Sequence, residues 1–176
     1  MQKLKGKKIL MIIASNNFRD EEYRYPRNIF EKEGAVVTVG SSSLNISNGS
    51  RGTEKVKPDI LIKDAFISDY DAVVFIGGGG CREYFNDNIA HKIIEDTVLS
   101  RKILASICSA GGILANAGVL KGKKATVFPS EVELIKNKGA IFTGAAVERD
   151  GRIITGNGPE AANEFGNAIV EKLTEK

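Results

Sequence analysis

Short, unbroken apolar segments alternate along this chain with segments of helical periodicity. Unbroken apolar runs are typical of strands buried on both faces, and parallel strands of this kind are joined through helices. The sequence therefore predicts an α/β fold, a mostly parallel sheet sandwiched by helices, in one domain covering residues 1–176. The predicted strands are 8–14, 35–40, 70–76, 103–107 and 125–128, and the predicted helices are 21–33, 89–100, 110–117, 130–138 and 159–173.

Local signals refine these elements. Pro26 indicates that the first helix starts late or kinks, and Ser130 followed by Glu133 is typical of a capping box at the start of a helix. The polar, glycine-rich segment 41–58 predicts a loop or a small exposed hairpin. Segment 147–155 alternates around a central Asp-Gly pair, which predicts a hairpin turn.

Charge and cysteine content narrow the function classes. The chain carries 25 basic and 22 acidic residues, a mix too even to indicate nucleic-acid binding. No apolar stretch approaches membrane-spanning length, and the run at 9–14 is too short for the core of a signal peptide. Two cysteines, Cys81 and Cys108, provide no disulfide framework, which is typical of a reducing compartment. We therefore expect a cytoplasmic protein that binds neither nucleic acid nor membranes.

Cys108 lies where a short apolar strand gives way at once to a helical pattern. This layout is typical of a nucleophile elbow, a sharp turn that lifts one side chain clear of the sheet. The turn is crowded, and the residues two before and two after the cysteine, Ser106 and Ala110, are small. A thiol here also lies at a helix N-terminus, where the helix dipole favours the thiolate. The alternative interpretation is a structural cysteine buried at a strand end.

Three features are expected to meet at the carboxyl edge of the sheet, where ligands bind in such folds. They are segment 15–22 after the first strand, the glycine run 77–80 and Cys108. The glycines could offer backbone amides to an oxyanion, because a ligand can approach a main chain that lacks side chains. They could also form only a flexible turn.

The remaining histidine and cysteine give little sign of a further site. His91, the one histidine, lies inside a predicted helix, so a local Cys-His-Asp triad and a metal site are both disfavoured. Cys81 follows the glycine run and is either a thiol with no role in the site or a partner for Cys108 in oxidation. We expect no cofactor and no metal.

Taken together, these segments resemble the ThiJ/PfpI superfamily, which has the flavodoxin-like, class I glutamine amidotransferase-like fold. The similarity runs in order through nearly the whole chain. It is carried by residues 8–12, 17–22, 25–26, 71–79, 105–108, 117–122 and 150–159.

The resemblance implies a nucleophilic cysteine at Cys108. It also implies that the backbone amides of Gly78, Gly79 and Ser109 hold an oxyanion. Members act variously as glyoxalases, deglycases, small-peptide hydrolases, redox sensors or chaperones, and they are usually dimers or larger homo-oligomers.

The chain departs from the family pattern at two places. Protease-like members have a histidine after the cysteine and a glutamate from a neighbouring subunit; here Ser109 replaces the histidine, and Glu83 falls at the glutamate position. The acidic residue of the first loop falls, by counting, on Arg19, which cannot act as a base. Arg19 would bind an anion if it points inward, and Asp20 or Glu22 would supply the acidic group if it points outward.

Two functions remain open at this point. The first is a cysteine-dependent enzyme acting on small carbonyl or acyl compounds, with Cys108 as nucleophile and Glu22, Asp20 or Glu83 transferring protons. The second is a non-catalytic, redox-responsive or chaperone-like stress protein with an oxidisable Cys108. Arg19 favours the second, because it adds positive charge without a base.

Overall fold

A computed structural model describes residues 1–175. In this range the chain forms the predicted alternation of strands and helices. The predicted domain's last residue, Lys176, lies outside this range. The strands are β1 Lys8–Ile12, β2 Val36–Ser41, β3 Ser47–Asn48, β4 Lys55–Val56, β5 Ile60–Leu61, β6 Ala72–Phe75, β7 Ile103–Ile107, β8 Lys124–Ala125, β9 Ile141–Phe142, β10 Val147–Asp150 and β11 Ile153–Gly156. The α-helices are α1 Asp20–Lys32, α2 Asn88–Leu99, α3 Gly111–Asn116, α4 Val132–Asn137 and α5 Ala162–Thr174.

The main sheet has seven strands in the order β10-β11-β7-β6-β1-β2-β5. All neighbouring pairs are parallel except β10 and β11, which form the antiparallel hairpin that the sequence predicts. The polar segment 41–58 contains the small hairpin β3-β4, as predicted. The prediction of a mostly parallel sheet is confirmed.

Helices cover both faces of this sheet because the central strands are apolar on both faces. Along β1, Ile9 and Met11 pack into one core and Leu10 and Ile12 into the other, and all four are fully buried. The first core includes side chains of α1 and α5, and the second includes side chains of α2 and α3. Full burial of alternate side chains on both faces explains the unbroken apolar run in the sequence.

Helix α1 runs through Pro26 without a break, so the predicted late start is wrong. Packing against α5 holds the helix at this point. Gly166 of α5 permits the close approach, because a Cβ there would lie 3.1 Å from the Pro26 Cα. Tertiary contact thus outweighs the helix-breaking tendency of proline.

Two predictions near residue 130 are also wrong. The predicted strand 125–128 is reduced to β8, which pairs with β9 in a separate two-stranded sheet. The predicted capping box does not form, because Pro129 begins a 3₁₀ turn and α4 starts only at Val132. The Ser130 hydroxyl donates to Glu131 instead.

The arrangement of β1, β6 and β7 positions the candidate site. These three strands are neighbours and parallel, so their carboxyl ends meet at one edge of the sheet. The loop after β1, the glycine run after β6 and Cys108 after β7 therefore come together, as the sequence predicts.

Candidate active site

Cys108 follows β7 directly and adopts a left-handed backbone conformation, with φ of +61°. Such a conformation costs a non-glycine residue about 1–3 kcal/mol and is typically found where function requires it. A short 3₁₀ turn, Cys108–Ala110, then leads into α3. The side chain is buried, with 6% of its surface exposed. This geometry matches the sharp strand-to-helix turn expected of an elbow.

The glycine run lies directly against this turn. A Cβ on Gly77 would lie 2.6 Å from the Ile107 carbonyl oxygen and 2.7 Å from the Cys108 Cβ. Gly78 has φ of +101°, and a Cβ there would lie 2.5 Å from the Arg19 nitrogen. A Cβ on Gly80 would overlap the Asn16 carbonyl oxygen. The glycines are thus required for close approach between three loops, and the interpretation of a merely flexible turn is wrong.

The acidic group beside the thiol is Glu22, on the first turn of α1. It is fully buried, and one carboxyl oxygen, Oε2, accepts a hydrogen bond of 3.0 Å from the Gly77 amide. The carboxyl also hydrogen-bonds to the Cys108 thiol. The second oxygen, Oε1, has no hydrogen-bond partner among residues 1–175. Burial of an ionised carboxyl with an unpaired oxygen costs folding free energy, and this cost favours the protonated form.

Burial raises the pKa of Glu22 to about 7, although its hydrogen bonds to Cys108 and Gly77 act in the opposite direction. Burial, the negative charge of Glu22 and its hydrogen bond to the thiol together raise the pKa of Cys108 to about 12, and burial is the largest of these causes. The two groups titrate as a pair, because a proton on Glu22 removes the charge that opposes the thiolate. The predicted helix-dipole stabilisation of the thiolate is outweighed by these two effects.

Arg19 does not occupy the acidic position that counting along the chain assigned to it. It precedes α1, its backbone nitrogen donates to the Gly77 carbonyl at 2.9 Å, and its Nε donates to Glu21 at 2.7 Å. Arg19 is extended, whereas Glu22 lies on the first turn of the helix and reaches the thiol. Counting along the chain gave the wrong residue because it does not show which side chain of the first helical turn points into the sheet edge.

Asp20 lies apart from the thiol. It is fully buried and accepts hydrogen bonds from the backbone of Arg51, Thr53 and Glu54 at 2.7, 2.9 and 2.8 Å. Burial raises its pKa, but these hydrogen bonds outweigh burial and hold the pKa below its usual value. Asp20 therefore attaches the β3-β4 hairpin to the start of α1, and the structure gives it no contact with Cys108.

Glu83 is likewise occupied elsewhere. Its exposed carboxylate accepts hydrogen bonds from the hydroxyls of Ser15 and Ser42 at 2.7 and 2.5 Å. These bonds tie the 3₁₀ turn Gly79–Tyr84 to the ends of β1 and β2. Within this chain, none of them involves Cys108.

The amides predicted to hold an oxyanion are those of Gly78, Gly79 and Ser109. The Ser109 amide hydrogen-bonds to the Cys108 sulfur, and its hydroxyl lies 3.9 Å from that sulfur. Gly78 and Gly79 follow Gly77, and Gly79 begins a 3₁₀ turn. The first N–H groups of such a turn have no carbonyl partner within it. Their role in binding an oxyanion stays a prediction.

His91 and Cys81 lie outside the pair. The His91 ring is hydrogen-bonded to the Phe85 carbonyl at 2.8 Å. Cys81 is a buried free thiol, and burial raises its pKa far above the ordinary value. Across residues 1–175, no group of three or more His, Cys, Asp or Glu side chains is placed to hold a metal ion.

One neighbour of the site was not singled out in the sequence. The Phe128 amide donates to the Cys108 carbonyl at 3.3 Å. Its ring borders a cavity of about 280 Å³, which is lined by Phe128, Pro129, Asn157, Gly158, Pro159 and Glu160. Nothing in the sequence of residues 157–159 indicates that this segment faces Phe128. A larger cavity of about 480 Å³ lies between α1 and β4 and is lined by neither Cys108 nor Glu22.

No helix within residues 1–175 is both long enough and apolar enough to cross a membrane.

Comparison with known proteins identifies the family. A family model described as the DJ-1/PfpI family matches residues 7–172. A protein of Methanocaldococcus jannaschii is 36% identical over 175 residues, which is 98% of this chain and 85% of the relative. A deglycase of Pyrococcus abyssi is 29% identical over 150 residues, covering 85% of this chain and 90% of the deglycase. The crystal structure of a ThiJ/PfpI domain protein from Brachyspira murdochii superposes with a TM-score of 0.92 at 31% identity, over 94% of this chain and 95% of that one. The chain belongs to the DJ-1/PfpI family.

Proposed function

We propose that this protein is a cysteine-dependent enzyme that acts on small carbonyl or acyl compounds, of the glyoxalase, deglycase or hydrolase type. The observation that carries the proposal is the buried contact between Glu22 and Cys108 at the strained turn after β7. A nucleophile held beside a group that titrates near neutral pH is the arrangement that covalent catalysis requires. The similarity to a deglycase of Pyrococcus abyssi supports the same class of chemistry.

The first step is addition of the thiol to the substrate carbonyl. Ionised Glu22 accepts the Cys108 proton while the sulfur attacks the carbonyl carbon, so an S–C bond forms and the π electrons of the carbonyl move to its oxygen. In this proposal the amides of Gly78, Gly79 and Ser109 hold the resulting oxyanion. A pKa of about 7 suits Glu22 to take up this proton and return it.

For a 2-oxoaldehyde, the following steps need no oxidant. The oxyanion is protonated to a hemithioacetal, and Glu22 removes the proton from C1, whose electron pair forms an enediol. Protonation at C2 gives a 2-hydroxyacyl thioester, and water hydrolyses it to a 2-hydroxy acid and the free thiol. The net reaction adds one water molecule. For an acyl substrate, the oxyanion collapses with loss of the leaving group, and water releases the acid.

The proposal includes a homo-oligomeric assembly, as expected from the family resemblance. It requires no cofactor, because Cys108 and Glu22 supply both the nucleophile and the proton transfer. The cavity bordered by Phe128, whose amide donates to the Cys108 carbonyl, has a volume of about 280 Å³, a size that favours a small substrate.

The direct test is consumption of methylglyoxal and formation of lactate. Cys108→Ser should abolish turnover, and Glu22→Gln should reduce it by about 10²–10⁴-fold, the usual contribution of a general acid-base group. Cys81→Ser is the matched control, because it removes a buried thiol that makes no hydrogen bond to Glu22; it should retain turnover. A panel of small activated esters tests the acyl reaction with the same variants. Absence of turnover on both substrate types, or turnover that survives Cys108→Ser, would contradict the proposal.

A further inference from the structure

An ion pair joins two segments that each contact the Cys108 turn. Arg82 lies in the 3₁₀ turn Gly79–Tyr84, and Glu131 ends the 3₁₀ turn Pro129–Glu131. The Arg82 Nη2 donates to the Glu131 carboxylate. The Glu131 side chain is only 4% exposed, whereas the Arg82 side chain is 54% exposed. Because burial of a carboxylate costs free energy that its ion pair often does not recover, stability alone explains this pair poorly.

The Glu131 end of the pair is connected to the backbone of Cys108. The Glu131 amide donates to the Phe128 carbonyl at 2.9 Å, and the Phe128 amide donates to the Cys108 carbonyl at 3.3 Å. Cys108 has φ of +61°, a strained conformation that persists only where the surrounding structure holds it. The segment from Phe128 to Glu131 is therefore one of the contacts that hold the strained peptide.

The Arg82 end of the pair is connected to the glycine run. The Cys81 amide, next to Arg82 in the chain, donates to the Gly78 carbonyl at 3.2 Å. Gly77 in turn lies against the thiol turn, because a Cβ there would lie 2.7 Å from the Cys108 Cβ. The pair thus joins the segment that bonds to the Cys108 carbonyl and the segment that packs on its side chain.

The Arg82 side chain also rests on a fixed support. Its guanidinium carbon lies 5.3 Å from the centre of the Phe85 ring. That ring packs on α3, since a Cβ on Gly112 would lie 2.5 Å from the Phe85 Cζ. Packing therefore helps to direct the guanidinium towards Glu131.

We propose that the Arg82–Glu131 ion pair is a positioning pair, which keeps the strained Cys108 turn in place beside Glu22 and the glycine run. Arg82 and Glu131 act through the backbone contacts of their neighbours and take no part in the proton transfers. The kinetic consequence of this inference rests on the proposed function. Its consequence for the thiol can be measured without a substrate.

The test replaces the pair by two apolar side chains of similar size, in the double variant Arg82→Met/Glu131→Met. Such a replacement is often neutral or stabilising, so the thermal unfolding temperature should not fall. The Cys108 turn should nevertheless relax away from Glu22, whose charge and hydrogen bond favour the protonated thiol. With Cys81→Ser in both proteins, alkylation by iodoacetamide at pH 8 should accelerate about threefold to tenfold, and its pH profile should move to lower pH.

Turnover of methylglyoxal gives a second measurement on the same variant. Here kcat should fall about tenfold or more, because small displacements of reacting groups are costly. KM should stay within about twofold of wild type, since no group that binds substrate has been removed. Glu131→Met alone should match the double variant, because residues that act through each other are not additive. Arg82→Lys should restore most of the loss, because it keeps the charge.

The double variant Arg149→Met/Glu171→Met is the matched control, because this ion pair also joins two elements, β10 and α5. It should alkylate and turn over like the wild type. An unchanged alkylation profile in Arg82→Met/Glu131→Met, or an equal change in the control, would overturn the inference. Turnover can persist in that case, and the proposed function then stands. If the profile shifts as expected while neither methylglyoxal nor the esters are converted, the inference stands and the proposed function fails.

Discussion

The Glu22 carboxyl and the Cys108 thiol form a buried, hydrogen-bonded pair beside Gly77. The carboxyl lies at the start of α1 and the thiol at the end of β7, so the pair depends on the whole sheet edge rather than on one loop. Each group changes the acidity of the other, which makes the pair accessible to solution measurements that do not require a known substrate.

Replacement of Glu22 by Gln should lower the pKa of Cys108. The substitution removes the negative charge and the hydrogen-bond acceptor that stabilise the thiol form. A fall of one pKa unit increases the thiolate fraction tenfold, so alkylation by iodoacetamide at pH 8 should accelerate by about tenfold or more. The measurement is the alkylation rate against pH, with Cys81→Ser in both proteins to leave one thiol. An unchanged profile would mean that the Glu22 carboxylate does not control the thiol.

The same substitution should stabilise the fold at alkaline pH. Because the folded-state pKa of Glu22 is raised from 4.5 to about 7, the folded protein binds the proton more tightly than the unfolded chain. Wild-type stability from this group is therefore present below about pH 4.5 and is lost as pH rises to about 7. A Gln at this position escapes that loss, so Glu22→Gln should gain roughly 2–3 kcal/mol in free energy of unfolding at pH 8 and little at pH 4.

Urea denaturation at the two pH values measures this difference. Glu31→Gln is a suitable control, since Glu31 lies on the exposed side of α1 in an ion pair with Arg27. Its effect should be below about 1 kcal/mol at either pH, as for other exposed ion pairs. A gain at pH 8 in the control as large as in Glu22→Gln would show that the effect does not come from the buried carboxyl.

The sequence predicted the fold well, because the information was local and periodic. The apolar run at β1 and the strand at β7 are continuous in the chain, and β7 is found at the predicted residues 103–107. The meeting of three loops at one sheet edge also followed from parallel topology alone. No knowledge of side-chain contacts was needed for either conclusion.

The candidate site was only partly predictable, because its key contact joins residues far apart in the chain. Residues 19–22 carry four consecutive acidic or basic side chains, and which one faces Cys108 depends on the helix phase relative to the sheet. The start of α1 at Asp20 sets that phase and directs Glu22 inward. Likewise, nothing in the local sequence shows that Asp20, at the start of α1, accepts hydrogen bonds from residues 51–54 of the β3-β4 hairpin.

Gly77→Ala should destroy the site. The added Cβ would lie 2.6 Å from both the Glu22 carboxylate and the Ile107 carbonyl, and the second of these is backbone that cannot move freely. Overpacking of this kind typically costs about 1–3 kcal/mol, and the displaced Glu22 should lose its influence on Cys108. Thermal unfolding and the alkylation profile measure the two effects.

Gly52→Ala is the control, because a Cβ there meets no atom within 4 Å. Its φ of +73° should cost only about 1–2 kcal/mol. Its alkylation profile should match wild type.

Asp20→Asn should weaken the fold without changing the chemistry of Cys108. The carboxylate accepts hydrogen bonds from three backbone amides and the Thr53 hydroxyl, and an amide side chain can accept through one oxygen only. The expected loss is about 1–3 kcal/mol in free energy of unfolding.

This loss should depend on pH. Because the folded-state pKa of Asp20 is lowered, the stability that Asp20 contributes in the wild type is present above the unfolded pKa of 3.8 and is lost as pH falls below it. Wild type and variant should therefore converge in stability at acidic pH, while their Cys108 alkylation rates agree throughout. A variant that alkylates at a different rate while still folded would instead assign Asp20 to the site.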